Sequence, residues 1–116
     1  MASAVLFIGF DRPIPGKEDQ ALSIWEETRG FFEKQRTAGR FERFDSFFLT
    51  PHGGDMNAAY LLYGDRVKLD ELRRTDEFEA VVFKLMPLVQ GLGIVPGVTG
   101  DAIKATMERR QKALGR

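Results

Sequence analysis

The stretch AVLFIGF, residues 4–10, opens the chain with a continuous apolar run. Pro13 and Pro15 follow it closely, which is too soon for a helix and favours a buried β-strand. Alternate side chains of a strand point to opposite faces. Both faces are apolar here, with one formed by Val5 and Phe7 and the other by Leu6, Ile8 and Phe10. Such a strand needs cover on both sides.

Two further segments repeat this pattern. FERFDSFFLT, residues 41–50, and AAYLLYG, residues 58–64, read as strands with apolar side chains on both faces. The connection TPHGGDMN, residues 50–57, is rich in the glycine, aspartate and asparagine that hairpin turns use. We therefore expect an antiparallel hairpin.

The spacing of apolar residues predicts helices between these strands. Residues 17–37 have acids early and bases late, which suits the helix macrodipole. Leu69 starts a second helical region, with a break at Thr75, which can cap a new turn. Pro87 should kink this helix or begin its end, and Gly91 and Gly93 should stop it.

The chain ends with a strand and a helix. IVPGVTG, residues 94–100, predicts a short strand, and Pro96 within it indicates a sheet edge or a bulge. Residues 101–114 predict an amphipathic helix with Ile103, Met107 and Leu114 on one side.

The order βαββαβ plus a C-terminal helix predicts an α+β, ferredoxin-like domain over residues 1–116 with an antiparallel sheet. In that fold both main helices cover the same face of the sheet, so the second apolar face is left open. An open apolar face marks an interaction surface. We expect a homodimer whose two sheets pack face to face.

Composition limits the function classes. The chain of 116 residues is 43% hydrophobic and has ten phenylalanines, enough for a real core. Its 17 basic and 17 acidic residues cancel, so we expect neither nucleic acid nor a membrane as partner. It has no cysteine and no long apolar stretch, which together favour a cytoplasmic location.

The βαββαβ order, the two-faced strands and the trailing helix resemble the dimeric α/β-barrel superfamily. Its members include antibiotic-biosynthesis-type monooxygenases and stress-responsive barrel proteins. The resemblance implies a closed barrel of two sheets with a pocket in each protomer. It also implies binding of a small apolar or aromatic molecule, or its turnover by cofactor-independent monooxygenation. Haem-degrading members carry a histidine on the second helix, and residues 69–92 contain none. We expect no cofactor.

His52 is the only histidine and a candidate general base on a loop. Asp45 or Asp55 could orient it. The alternative is a glycine-rich hairpin turn that happens to contain a histidine. Because the chain has only one histidine and no cysteine, we expect no metal site.

Arg43, Asp45 and Phe47 are candidate substrate-binding residues, because alternation places them on one strand face together with Phe41. A charge pair in an apolar pocket could orient a polar substrate group. The alternative is an edge strand whose charges discourage aggregation. If the strand has the opposite phase, its side chains that face the barrel are instead those of Phe44, Ser46 and Phe48.

Three aromatic residues are further candidates. Trp25 and Tyr63 could line a pocket, and Tyr60 could act as an acid or an oxyanion donor. Trp25 also fits a core position at helical spacing with Leu22.

Other function classes remain open. VLFIGF is similar to the first-strand motif of RNA-recognition domains, but AAYLLYG lacks the basic start of their third strand. DRPIPGK resembles the first loop of ACT-type ligand-sensing modules, although charged residues follow its glycine. A purely structural dimer would have its barrel filled by Phe44, Phe47 and Phe48.

Overall fold

The structure is a computed structural model that describes residues 2–116. Its strands are β1 (Ala4–Phe10), β2 (Arg12–Pro13), β3 (Arg43–Phe48), β4 (Ala58–Gly64), β5 (Val89–Gln90) and β6 (Gly93–Val98). Its helices are α1 (Glu18–Thr37), α2 (Arg66–Arg73), α3 (Asp76–Leu85) and α4 (Asp101–Ala113). No helix among these residues is long and apolar enough to cross a bilayer.

Four strands form one antiparallel sheet in the order β3-β4-β1-β6. Strand β1 lies inside the sheet, and β3 and β6 are its edges. With α1 after β1 and α2–α3 after β4, this is the ferredoxin-like arrangement predicted from the sequence. Pro96 lies on β6, so its prediction as an edge residue is confirmed.

The core lies between the helices and one face of the sheet. On β1 every second side chain from Ala4 to Phe10 is at least 97% buried, and Tyr60 and Leu62 continue this face on β4. Helix α1 contributes Trp25 and Phe32 to the same core. The predicted division of β1 and β4 into two apolar faces is confirmed, and the helices cover only one of them.

The second helical region divides at Thr75, as predicted. The Thr75 hydroxyl accepts a hydrogen bond from the Phe78 backbone N–H at 3.2 Å and caps α3. The prediction that Pro87 begins the end of this helix is confirmed, because α3 ends at Leu85, but the prediction that Gly91 and Gly93 stop it is wrong. Pro87 cannot continue the backbone hydrogen bonding of a helix. The chain beyond it forms β5, which pairs with β2 in a two-stranded sheet that was not predicted.

Helix α4 lies at the periphery. None of its residues is buried, and Ile103 and Met107, the centre of its apolar side, are exposed. Its contacts are with β6, directly before it in the chain. The predicted amphipathic helix is therefore present, but about half of its apolar side is left exposed by the described residues.

Candidate functional site

The face of the sheet turned away from the helices, called here the open face, is organised in rows by the strand register. One row runs Arg43, Tyr63, Val5, Gly97, the next Asp45, Leu61, Phe7, Val95, and the third Phe47, Ala59, Gly9, Gly93. Most of its large side chains are apolar and only partly buried, because no element of residues 2–116 covers them.

Three small residues lie in the third row of the open face, and the Phe7 ring covers the central one. The Phe7 ring lies over the backbone of Gly9, where a methyl group would come within 2.5 Å of Phe7 Cζ. Gly93 is the neighbour of Gly9 across β6, and Ala59 is its neighbour across β4. Gly9 has no side chain and therefore leaves room for the Phe7 ring, which covers the backbone at this point of the open face.

A polar cluster lies at the β3 end of the open face. The Arg43 guanidinium stacks on the Tyr63 ring at 3.8 Å and pairs with Asp45 at 3.0 Å. Both charged side chains are more than half exposed. Arginine has five N–H donors, so Arg43 keeps donors for a carboxylate or phenolate oxygen. Phe47 lies on the same face, whereas Phe41, also predicted there, is buried in the core beside Phe32.

Trp25 and Tyr60 lie on the other side of the sheet. Their rings stack at 4.3 Å, and Phe10 packs edge-on against Trp25 at 4.8 Å. The Tyr60 hydroxyl donates a hydrogen bond to the Trp25 carbonyl oxygen at 2.8 Å. Burial, and to a lesser extent Glu26, raises the pKa of Tyr60 well above its ordinary value. These rings fill the space under α1. The pocket role of Trp25 and the role of Tyr60 as an acid or oxyanion donor remain predictions.

The raised pKa of Tyr60 predicts a loss of stability at alkaline pH. Below about pH 10 the tyrosine is neutral in both the folded and the unfolded chain. Above that pH it ionises only when unfolded, so the free energy of unfolding should fall by up to about 1.4 kcal/mol per pH unit. Urea unfolding of the Tyr60→Phe variant should lack this component. Tyr63→Phe is the matched control, and an equal loss of the slope there would contradict the assignment.

His52 lies in the connection between β3 and β4, which the backbone hydrogen bond from Leu49 to Asn57 closes at 2.7 Å. The predicted hairpin is confirmed. The Nδ1 atom of the His52 ring is 2.9 Å from the Thr50 carbonyl oxygen. The imidazole is therefore oriented by a backbone group and not by a carboxylate. The ring borders an exposed hollow of about 270 Å³ beside Arg12. A catalytic role for His52 remains a prediction.

The predicted site residues thus fall into three places. Arg43, Asp45, Phe47 and Tyr63 meet on the open face, Trp25 and Tyr60 lie beneath α1, and His52 lies in the hairpin loop. Among residues 2–116, no three acidic or imidazole side chains gather as a metal site would require.

One hollow was not predicted. It has a volume of about 490 Å³ and lies between the first turns of α1 and the end of α3, lined by Ile24, Lys84 and Leu88 among others. Its walls are about sixty residues apart in sequence, so no local pattern could have indicated it. Lys84 is paired with Glu27 at its rim, at 3.0 Å.

Comparison with known proteins shows relatives in structure but not in sequence. No protein-family model matches the sequence, and no curated protein is significantly similar to it. A dimeric protein of unknown function with a ferredoxin-like fold from Bacteroides fragilis superposes with a TM-score of 0.61 at 12% identity, covering 83% of this chain and 96% of that one.

Two proteins with similar structures have a known activity. SnoaB, a cofactor-independent oxygenase from Streptomyces nogalater, has a TM-score of 0.54 at 16% identity, covering 85% of this chain and 93% of that one. The hydroxynitrile lyase of Passiflora edulis has a TM-score of 0.61 at 12% identity, covering 87% and 97%. One fold thus supports different reactions. The chain has the ferredoxin-like fold of these proteins, as its sequence pattern predicted.

Proposed function

We propose that the chain forms a two-fold homodimer through the open face and binds a small apolar or aromatic molecule between the two sheets. The observation that carries this proposal is the open face itself, with its partly buried Phe7, Leu61 and Tyr63. Each large apolar side chain removed from water contributes about 1.5–3 kcal/mol. The dimeric relative from Bacteroides fragilis supports the same assembly.

The chemistry of the open face suggests the class of ligand. The apolar surface of Phe7 and Leu61 fits an apolar or aromatic group, and the spare N–H donors of Arg43 fit an acidic oxygen at its edge. Tyr63 already stacks on the guanidinium and holds it in place. An aromatic molecule with a carboxylate or phenolate group satisfies both features.

Turnover without a metal or cofactor is the catalytic form of this proposal, and the oxygenase activity of SnoaB supports it. A ligand-sensing module would bind the same class of molecule without converting it. A structural dimer is the second candidate function. It is favoured by Phe47 and Phe7, whose rings could fill the space between the sheets.

Native mass spectrometry of the protein purified from cells tests these alternatives. We expect a dimer with releasable additional mass. Loss of one charge-assisted contact costs about 1.5–3 kcal/mol, so Arg43→Gln should weaken binding of the released ligand by roughly tenfold to a hundredfold. Arg40→Gln, on an exposed loop outside the open face, is the matched control.

Each other outcome has a definite meaning. A dimer that never carries a ligand would favour the structural alternative. Binding that is unchanged in Arg43→Gln would exclude the assigned role of the guanidinium. A monomer at the concentrations found in cells would overturn the proposed assembly.

A further inference from the structure

Within residues 2–116, the main contacts of helix α4 are with β6, and none of its residues is buried. Its apolar side chains Ile103, Met107 and Leu114 are 46%, 56% and 71% exposed. Isolated helices of fewer than about 12–15 residues are marginal in water, and most helices in proteins are stabilised by packing of an apolar face. A helix of 13 residues that buries none of them is therefore missing a contact surface.

The dimensions of the protomer give the same indication. Its accessible surface is 7492 Å², whereas a monomeric protein of this mass is expected to expose about 6,400 Å². Its radius of gyration is 15.8 Å, against about 13.4 Å for a compact domain of this length. The excess of about 1,100 Å² exceeds the roughly 800 Å² that each partner buries in a standard interface.

The start of α4 is fixed at one end of the sheet. Val98 pairs with Ala4, and the Thr99 backbone N–H donates to the Ser3 carbonyl oxygen at 3.1 Å. Arg66 donates to the Gly97 carbonyl oxygen at 2.9 Å. Gly97 belongs to the row of the open face that contains Arg43, so α4 begins at the same end of the sheet as the polar cluster.

The length of α4 fits the distance to a second copy. Thirteen residues of helix extend about 20 Å, and two sheets packed face to face lie about 10 Å apart. In a dimer whose two-fold axis runs parallel to the strands, the first rows of both open faces lie at the same end, so a helix that begins beside one row can reach the other. Arg43 and Tyr63 offer it a flat, partly apolar surface.

We propose that α4 of each protomer packs across this end of the second copy, with Met107 against the partner's Tyr63 and the partner's Arg43. Thioether contacts with aromatic rings are favourable. The inference rests on the proposed dimer and adds to it. Each ligand site would be closed at its polar end by the other protomer, and one chain alone would have an incomplete site.

The competing location is on the same chain. Val82, Met86, Leu92 and Ile94 line an apolar groove of about 420 Å³ between α3 and β6. Rotation about Gly100, whose φ is 61°, could bring α4 into it. The elongated arrangement and the link to the open face favour the second copy.

The absence of cysteine makes a disulfide test clean. Under mild oxidation, the Met107→Cys/Arg43→Cys variant should form a disulfide-linked dimer as its main product, since such bonds require Cα atoms within about 7 Å. The matched control is Arg109→Cys/Arg43→Cys, in which the thiol lies on the opposite side of α4. Neither this control nor the single-cysteine variants should crosslink.

Other products would overturn the inference. An intramolecular disulfide, or equal crosslinking from position 109, excludes the proposed contact. A Met107→Cys/Met86→Cys variant that crosslinks within one chain would place α4 in its own groove.

Hydrogen exchange of the α4 amides provides a second measurement. We expect protection in the native dimer and loss of protection when the dimer is dissociated by Leu61→Asp. Protection that survives in the monomer contradicts the inference, as does its absence in a dimer. Analytical ultracentrifugation of the unmodified protein reports the dimer separately, so failure of the assembly and failure of the α4 contact are distinguishable.

Discussion

Replacement of Phe32 by alanine is expected to lower the free energy of unfolding by about 3–5 kcal/mol. The Phe32 side chain is 0% exposed, and its ring lies among those of Phe41, Phe44, Tyr60 and Phe78. The cavity left by its removal would lie between α1 and the sheet, where several rings lose a neighbour at once. Whole domains are stable by only about 5–15 kcal/mol, so this variant should be close to unfolding.

Urea unfolding monitored by circular dichroism measures this effect. Phe83→Ala is the matched control, because it deletes the same side chain at a position that is 65% exposed. We expect the control to change stability by less than about 1 kcal/mol. Similar losses in both variants would show that the aromatic cluster is not the centre of the core.

Substitution of Leu61 by aspartate is expected to dissociate the proposed dimer. Leu61 lies in the middle row of the open face, between Asp45 on β3 and Phe7 on β1. In a face-to-face dimer the new carboxylate would be buried without a partner, which costs several kcal/mol. It would also lie beside Asp45. A cost of 3 kcal/mol or more on association weakens the dimer by roughly a hundredfold or more.

The protomer itself should tolerate this change, since Leu61 is directed away from the helices. Sedimentation across a concentration series should therefore give a folded monomer for Leu61→Asp. Val67→Asp places the same charge on a 63% exposed position of α2, and it should remain dimeric. If Leu61→Asp also remained dimeric, the contact between protomers would have to lie outside the open face.

The fold was readily predicted where apolar patterns are strong. The bounds of β1 and β4 agree with the sequence pattern, because each is a short apolar run between residues that break regular structure. The cap at Thr75 has a local signature as well. The strands β2 and β5 have no local signature in the sequence. Each consists of two residues that pair with a distant segment, and two residues are too few to show a periodic pattern.

The candidate site could be predicted only in part. Arg43 and Asp45 lie on either side of Phe44 in a strand, so the two-residue period predicted that they share one face. The period could not predict whether that face is turned toward the helices or away from them. This direction is decided by Phe44, which packs on Phe32 and turns the charged pair to the open face. The row of small residues under the Phe7 ring depends on the register that aligns Gly9 with Gly93, and register is set by pairing across the whole chain.

The position of β1 within the sheet has a consequence for synthesis of the chain. Strand β1 is synthesised before both of its partners, β4 and β6, and its Ala4 is opposite both Gly64 and Val98. At about 5–20 residues per second, on the order of 5–20 s separate the synthesis of β1 from that of β6. During this time β1 is an apolar segment that lacks one of its native pairing partners. Dependence on chaperones should therefore be greatest for nascent chains that are halted before β6 is made.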